Sequence, residues 1–135
     1  MEKAVRIRRE VIEQMLREAR GRPGEECCGL LAGRDGVVTE AFPATNALGS
    51  ATAFEIAPAE LFRIFRAMRA AGLEHMGIYH SHPSGENAPS ARDVERAYYP
   101  EAVHFILSPS PEAPRAVRAF EIRDGAVREL MIEAV

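Results

Sequence analysis

The sequence has few of the features that mark secreted or disulfide-stabilised proteins. It contains no tryptophan, and its only two cysteines, Cys27 and Cys28, are adjacent. Adjacent residues of a strand point to opposite faces, so these two thiols are a poor disulfide framework and could not both bind one metal ion. We therefore expect two small, buried strand residues in a protein of a reducing compartment, the cytoplasm, with a redox role as the alternative.

Long apolar runs and an excess of basic charge are also missing. No segment approaches the roughly 20 apolar residues of a membrane-spanning helix, and we expect no signal peptide. The formal net charge of −3 argues against a nucleic-acid partner. Repeats and low-complexity segments are absent, and we expect residues 1–135 to form a single domain that buries roughly 70% of its unfolded surface.

The most informative segment that is present is the pair His80 and His82, which Asp93 follows eleven residues later. If the two histidines end a β-strand, their side chains point to the same face. Asp93 then needs only a turn and the start of a helix to return beside them. Two imidazoles and a carboxylate are three zinc ligands, which leave the fourth position for water, as in catalytic sites. The alternative is that the histidines are ordinary core and surface residues.

Ser90 and Asp93 also have the spacing of a helix start. Ser90 fits an N-cap and Asp93 the acid at N3, close to a capping box. The two roles of Asp93 are expected to be compatible only in part, because one oxygen would have to serve either a metal or a backbone amide. Ser90 can combine two roles more easily, since a hydroxyl both donates and accepts.

A hydrolytic site of this kind also needs a base, and Glu26 is the strongest candidate. It opens an apolar, glycine-bounded run that predicts a buried strand. A carboxylate at the mouth of such a strand would be partly desolvated, which raises its pKa towards the useful range. An ordinary solvated side chain is the alternative, and it is what we expect of Glu25.

Together these residues resemble the JAMM (MPN+) zinc metallopeptidases, in their compact stand-alone prokaryotic type. That family's pattern is a distant Glu, then His-x-His-Pro, six residues and Ser-x-x-Asp, and the resemblance covers essentially the whole chain. It implies one Zn²⁺ per chain, ligated by His80, His82 and Asp93. It further implies that Glu26 acts as general base and then acid through the zinc-bound water, while Ser90 stabilises the tetrahedral oxyanion.

The resemblance also implies a substrate. Family members hydrolyse the amide or isopeptide bond after the C-terminal diglycine of a ubiquitin-like or sulfur-carrier protein, including release of a C-terminal cysteine. Such a tail can add as a strand, and residues 45–56 are the candidate edge that receives it. The oligomeric state is left open, and a homodimer is one possibility. Two alternative functions are also left open: a general small-peptide or isopeptide hydrolase, and a non-catalytic scaffold that binds a ubiquitin-like partner. Length and charge argue against a resemblance to the DNA-repair-associated relatives.

The periodicity predicts an α/β fold with a mixed, largely antiparallel sheet flanked by helices. The resemblance implies the cytidine-deaminase-like three-layer sandwich. Strands are predicted over 4–8, 26–33, 37–44, 76–80, 103–108, 116–123 and 126–133, a short extended piece at 54–56, and helices over 11–19, from Pro58 to Gly72 and over 91–98. Two Asp-Gly pairs, at 35–36 and 124–125, predict hairpin turns. His75 and His104 are expected to be structural.

Overall fold

Residues 3–135, the part of the chain that this computed structural model describes, form seven strands and three helices. In chain order the elements are β1 (Ala4–Ile7), α1 (Arg9–Gly21), β2 (Cys28–Arg34), β3 (Val37–Ala44), α2 (Pro58–Ala70), β4 (Glu74–Ser81), α3 (Ala91–Glu95), β5 (Val103–Leu107), β6 (Val117–Arg123) and β7 (Ala126–Ala134). The predicted order of elements is confirmed. One detail was wrong: α3 ends at Glu95 rather than near residue 98. The short extended piece predicted at 54–56 is not a strand of the sheet.

The strands form one mixed sheet in the order β1-β3-β2-β4-β5-β6-β7, which closes on itself. β1 runs parallel to both β3 and β7, and β4 runs parallel to β5, whereas the other four pairings are antiparallel. The predicted mixed, largely antiparallel sheet is therefore confirmed, with β1 closing it into a barrel.

Helices cover the two faces of the sheet, as the layered prediction required. Leu31 packs with Met15 of α1, whereas its neighbour Leu30 packs with Ile64 and Met68 of α2. Because successive strand residues point to opposite faces, α1 and α2 lie on opposite sides of the sheet. Val94 of α3 joins a third cluster on β5 and β6. None of the described helices is long and apolar enough to cross a bilayer.

Both predicted Asp-Gly turns are confirmed by their backbone angles. Asp35 and Gly36 have φ values of 53° and 76°, and Asp124 and Gly125 have 50° and 80°. Positive φ at both central residues defines the type I′ turn, whose twist matches that of the strands it joins. The two hairpins β2-β3 and β6-β7 are thus fixed locally by two residues each.

The cysteines and His75 have the structural roles expected of them. Cys27 and Cys28 are buried and form no disulfide, and burial raises the pKa of Cys27 to about 11 and that of Cys28 to about 12. Both thiols therefore stay protonated near neutral pH and act as small apolar groups. His75 lies with its Nε2 3.0 Å from the carbonyl of Gly77 and packs edge-on against Phe65.

Candidate metal centre and active site

His80 and His82 lie on the same face at the end of β4, as predicted from the period of a strand. His80 is the last residue but one of β4, and His82 follows directly after it. The backbone N–H of His82 donates to the carbonyl of Leu107 at 2.9 Å, so the pairing with β5 continues past the end of β4. Ser81, between them, points away and accepts a hydrogen bond from the Cys27 amide at 2.9 Å.

Helix α3 returns Asp93 to the two histidines. The Nε2 atoms of His80 and His82 are 3.1 Å apart. Oδ1 of Asp93 lies 3.3 Å from Nε2 of His80, and Oδ2 lies 3.1 Å from Nε2 of His82. The three side chains predicted as metal ligands therefore converge on one point.

The spacing and chemistry of these atoms fit a tetrahedral zinc ion. Two atoms bonded to one such ion at about 2.0 Å are roughly 3.3 Å apart, which is close to the three separations observed. Nδ1 of His82 is 2.8 Å from the carbonyl of Glu86, so it can donate there and leave the Nε2 lone pair for a metal. Two imidazoles and a carboxylate are also the donor set that catalytic zinc prefers.

The register between β2 and β4 brings Glu26 to the same place. Cys28 pairs with His80, and the Ser81 amide donates to the Cys27 carbonyl at 3.0 Å. Continued by one more pair, this antiparallel register sets Glu26 opposite His82, and directly opposite residues share a face. The ligand atoms of Glu26, His80 and His82 accordingly lie within 4.8 Å of one another.

Glu26 is desolvated, as predicted. Its side chain is only 4% exposed, and Oε1 has no hydrogen-bond partner within residues 3–135. Burial raises its pKa to about 7, although the charge of His82 opposes the shift. A carboxylate that exchanges a proton near neutral pH is suited to general acid–base work.

The pKa values of the three candidate metal ligands are also shifted, in directions that differ from one residue to the next. Burial opposes ionisation of Asp93, but its contacts with His80 and His82 outweigh burial and hold its pKa well below the usual range. Burial would lower the pKa of His82, yet Asp93 outweighs it and raises that pKa. Burial dominates at His80 and lowers its pKa. Asp93 is therefore an ionised carboxylate facing two imidazoles, which is a ready site for a cation.

Ser90 forms the predicted helix cap. Its Oγ accepts from the Asp93 amide at 3.1 Å, and Oδ2 of Asp93 accepts from the Ser90 amide at 2.9 Å. The two oxygens of Asp93 have different partners, so the two predicted roles of Asp93 could be divided between them. Oδ2 serves the cap while it lies beside His82, and Oδ1 faces His80 without a role in the cap. The Ser90 hydroxyl proton has no acceptor among the described residues.

The sequence did not reveal Asn46, which ties the loop over 45–56 to the site. This side chain is 5% exposed. Its Nδ2 donates to the carbonyls of Glu26 at 3.0 Å and Ala53 at 2.9 Å, and its Oδ1 accepts from the amides of Leu48 at 3.0 Å and Glu55 at 3.2 Å. An asparagine in a polar loop gives no periodic signal, so only the folded structure shows this role.

The same loop places Phe54 on His80, with ring centroids 4.6 Å apart and planes 24° from parallel. Beside this pair lies a cavity of about 220 Å³, lined by His80, Asp93, Phe54, Ile78 and His104, among others. Phe54 lies in the predicted extended piece at 54–56, which pairs with no strand of the sheet. The structure shows an irregular segment, since its backbone is bonded within the loop through Asn46.

The sequence matches one family model and several curated proteins. The family described as "Prokaryotic homologs of the JAB domain" matches residues 8–123. The CysO-cysteine peptidase of Mycobacterium tuberculosis is 34% identical over 131 residues, which are 96% of this chain and 90% of that protein. A desampylase of Haloferax volcanii is 44% identical over 94 residues, 67% of this chain and 68% of that protein.

Solved structures share the fold. A protein from Desulfitobacterium hafniense is similar with a TM-score of 0.85 and 33% identity, covering 96% of this chain and 91% of that one. A structure described as a metalloprotease-like zinc site in the proteasome and signalosome, JAMM, has a TM-score of 0.62 and 21% identity, covering 97% and 99%. At 21% identity the second likeness supports the fold alone.

Proposed function

Because the chain belongs to the family of prokaryotic JAB-domain homologues, the JAMM type expected from its motif, we propose that it is a zinc-dependent peptidase acting on diglycine tails. It hydrolyses the amide or isopeptide bond after the C-terminal Gly-Gly of a ubiquitin-like or sulfur-carrier protein. The observation that carries this proposal is one constellation: three side chains of metal-binding type within 3.3 Å of one another, and beside them the buried carboxylate of Glu26, whose Oε1 has no hydrogen-bond partner in the described part of the chain.

In this proposal His80, His82 and Asp93 hold the zinc ion, and Glu26 stays outside the ligand set. Both carboxylates are near the histidines, but only Asp93 has a depressed pKa, whereas burial keeps that of Glu26 near 7. An ionised carboxylate binds a cation better than one that holds a proton half of the time. When bound, zinc supplies a Lewis acid that lowers the pKa of water and polarises a carbonyl.

The chain's own residues move the proton and stabilise the developing charge. Glu26 takes a proton from the attacking water and delivers it to the leaving amine as the C–N bond breaks, so the glycine ends as a carboxylate. The Ser90 hydroxyl donates to the oxygen that gains negative charge. Phe54 covers one face of the His80 ring, and His80 is only 1% exposed.

Names of the relatives support a conjugated protein as the substrate. They include the CysO-cysteine peptidase, the desampylase and a probable TtuB-protein conjugate cleaving protease from Thermus thermophilus, which is 34% identical over 119 residues. Residues 45–56 stay the candidate edge for the substrate's tail, since the loop touches His80 through Phe54 and is anchored by Asn46. A glycine tail lets its backbone approach such a site closely.

The test is cleavage of defined substrates by the zinc-loaded protein. Carriers ending in Gly-Gly are prepared with a C-terminal cysteine or with a lysine isopeptide, and mass spectrometry identifies the products. We expect cleavage directly after the diglycine, and Glu26→Gln should bind zinc normally while losing activity by ~10²–10⁴. If Glu26→Gln kept full activity, Glu26 would have no part in the mechanism.

Two other outcomes separate the alternatives. Equal cleavage of a short Gly-Gly peptide and of the intact carrier would favour a general small-peptide hydrolase. Tight binding of the carrier without hydrolysis, in protein with one zinc per chain, would favour a scaffold. The buried, unpartnered carboxylate of Glu26 argues for the enzyme, because a structural zinc site has no use for a nearby base.

A further inference from the structure

The cavity beside the candidate metal ligands has apolar walls and a charged rim. Phe54, Ile78 and Tyr99 supply apolar surface, whereas Arg92 and Arg96 line the same space. The two arginines are four residues apart, in α3 and directly after it, so they lie on the same side of that turn. The lining of the cavity therefore includes two arginines together with His80 and Asp93 of the candidate metal site.

Arg92 has no competing carboxylate. Within residues 3–135 no acidic side chain lies within 4.0 Å of its guanidinium, and Arg96 has one loose partner, Glu55, at 3.8 Å between side chains that are 41% and 54% exposed. Exposed pairs of this kind contribute little and are easily exchanged. Both arginines are thus available to an anionic ligand, in a protein whose net charge is −3.

A second feature of the cavity also points to a polar ligand. His104 lines it and is only 7% exposed, and its Nε2 has no hydrogen-bond partner in the described part of the chain. Burial lowers the pKa of His104 to about 4, so the ring is neutral near neutral pH and offers a hydrogen bond rather than a charge. Buried polar atoms normally have a partner, and a ligand group in the cavity would supply one.

Planar guanidinium groups recognise carboxylates and phosphates, often with two parallel hydrogen bonds, and a protein substrate offers carboxylates. On the proposed substrate, the acyl side of the scissile bond is Gly-Gly and carries no charged side chain. An anionic group next to the bond must therefore belong to the leaving side. The α-carboxylate of a single C-terminal amino acid is two bonds from the scissile nitrogen, whereas that of an isopeptide-linked lysine is far removed and is usually part of a peptide bond.

We propose that Arg92 and Arg96 bind the free α-carboxylate of the leaving residue, which makes this site selective for releasing one C-terminal amino acid from a diglycine tail. This inference rests on the proposed function and narrows its leaving group. Arg92 is also close enough to the reacting groups for its charge to act on Glu26. Burial raises the pKa of that carboxyl, His82 opposes the shift most strongly, and Arg92 opposes it as well.

The test compares two carriers that end in Gly-Gly-Cys and differ only in the terminus, a free carboxylate or a carboxamide. Wild-type protein should cleave the acid with a kcat/KM roughly 10- to 100-fold higher, the usual effect of one charge-assisted contact. In Arg92→Gln/Arg96→Gln this ratio should fall close to one, and Arg92→Lys/Arg96→Lys should restore part of it. Arg17→Gln/Arg20→Gln, an equal charge change at two exposed arginines of α1, should keep the full ratio.

Because it is a ratio, the readout does not move when a variant merely folds less well. Binding gives an independent measurement: in the zinc-loaded Glu26→Gln background the acid should bind more tightly than the amide, and removal of both arginines should abolish the difference. A third carrier, ending in Gly-Gly-Asp carboxamide, moves the carboxylate to a side chain. Preference for this carrier over the cysteine acid would overturn the proposed assignment to the α-carboxylate.

Equal cleavage of acid and amide by wild-type protein would also overturn the inference and leave the proposed peptidase function intact. Faster cleavage of a carrier linked to lysine by an isopeptide bond than of the Gly-Gly-Cys carrier with a free carboxylate would also overturn the inference. Failure to cleave any of these carriers, together with failure to bind them, would count against the proposed function itself and against the inference that rests on it.

Discussion

Two carboxylates approach the same pair of imidazoles and differ in what they can do. Glu26 is buried without a hydrogen-bond partner on Oε1, and burial raises its pKa to about 7. Asp93 receives contacts from His80 and His82 that outweigh its burial, and its pKa is depressed. Environments that separate the pKa values of neighbouring acids are how one site obtains both a proton carrier and a permanent anion.

The raised pKa of Glu26 should make the free energy of unfolding depend on pH. In metal-free protein, a glutamate with the ordinary pKa of 4.5 ionises in the unfolded state, whereas folded Glu26 keeps its proton to about pH 7. The unfolded state therefore binds fewer protons in this window, and stability falls as the pH rises through it. Relative to Glu26→Gln, the free energy of unfolding of wild type should fall by on the order of 3 kcal/mol as the pH rises to neutral, and should not fall further above neutral pH.

Denaturant unfolding of the two metal-free proteins, measured at several pH values, checks this difference. Glu13→Gln removes an exposed glutamate of α1 and serves as the matched control. Its stability should follow that of wild type at every pH. If Glu26→Gln followed wild type equally closely, burial would not be raising the pKa of Glu26.

Ser90 combines a cap with a proposed catalytic contact, and two substitutions separate these roles. Ser90→Ala removes the oxygen that accepts from the Asp93 amide, and should cost about 1 kcal/mol of stability. Ser90→Asp keeps a capping oxygen but has no proton to donate to an oxyanion. It should therefore melt close to wild type and still lose activity by ~10²–10³.

Ser90→Thr keeps both the cap and the hydroxyl and should retain most of the activity. Kinetics and thermal melting on the same samples distinguish the two effects. Full activity in Ser90→Asp would confine Ser90 to capping α3.

At the level of elements, pairing between distant strands builds the site. The register that sets Cys28 opposite His80 gives a reason for a glutamate two residues before that cysteine. Periodicity predicted both strands, the Asp-Gly pairs predicted the two hairpin turns, and the spacing of Ser90 and Asp93 predicted the cap of α3, because each depends on residues close in sequence. The register itself was out of reach, since it depends on contacts across more than 50 residues.

The loop over 45–56 shows the same limit. Its shape depends on one buried asparagine that bonds to Glu26 and to its own backbone. Such bonds leave no pattern of alternating hydrophobicity, so the shape of this loop could not be predicted from the sequence. The end of α3 was misjudged for a related reason. Pro100 limits how far the helix can extend, but it does not specify that the turn opens at Arg96.

Packing between β2 and β4 explains why a glycine, Gly29, follows Cys28. Gly29 pairs directly with Tyr79, and a Cβ added at Gly29 would lie 2.5 Å from the tyrosine ring. The ring cannot easily move, because it is fully buried and its hydroxyl donates to Glu18 of α1 at 2.8 Å. The strand therefore has no room for a side chain at this position.

Gly29→Ala should accordingly destabilise the fold by about 1–3 kcal/mol, the range for overpacked sites. Gly21→Ala, at the end of α1 with nothing within 4 Å of the added Cβ, is the control and should be neutral or slightly stabilising. Urea unfolding measures both. Wild-type stability in Gly29→Ala would show that the tyrosine ring can shift after all.

At the scale of the whole molecule, the candidate metal centre connects a strand of the sheet with a short helix that lies outside it. His80 and His82 come from β4 and its end, whereas Asp93 comes from α3, a helix of five residues with no fully buried side chain. So short a helix is not stable by itself. An ion shared by these ligands would bind the folded chain far better than the unfolded one, and would stabilise the fold by mass action.

Zinc should therefore raise the melting temperature as well as bind at one ion per chain. At a free zinc concentration 100 times the Kd, the expected gain is about 2.7 kcal/mol, which for a chain of this size corresponds to a shift on the order of 10 °C. His82→Ala should lose both the ion and the shift, since it removes a ligand. His75→Ala changes a histidine of β4 that contacts Gly77 and lies outside the ligand set, so it should keep one zinc per chain even if it melts lower. Metal analysis and calorimetry on the same preparations separate these effects, and stoichiometric zinc in His82→Ala would refute the ligand assignment.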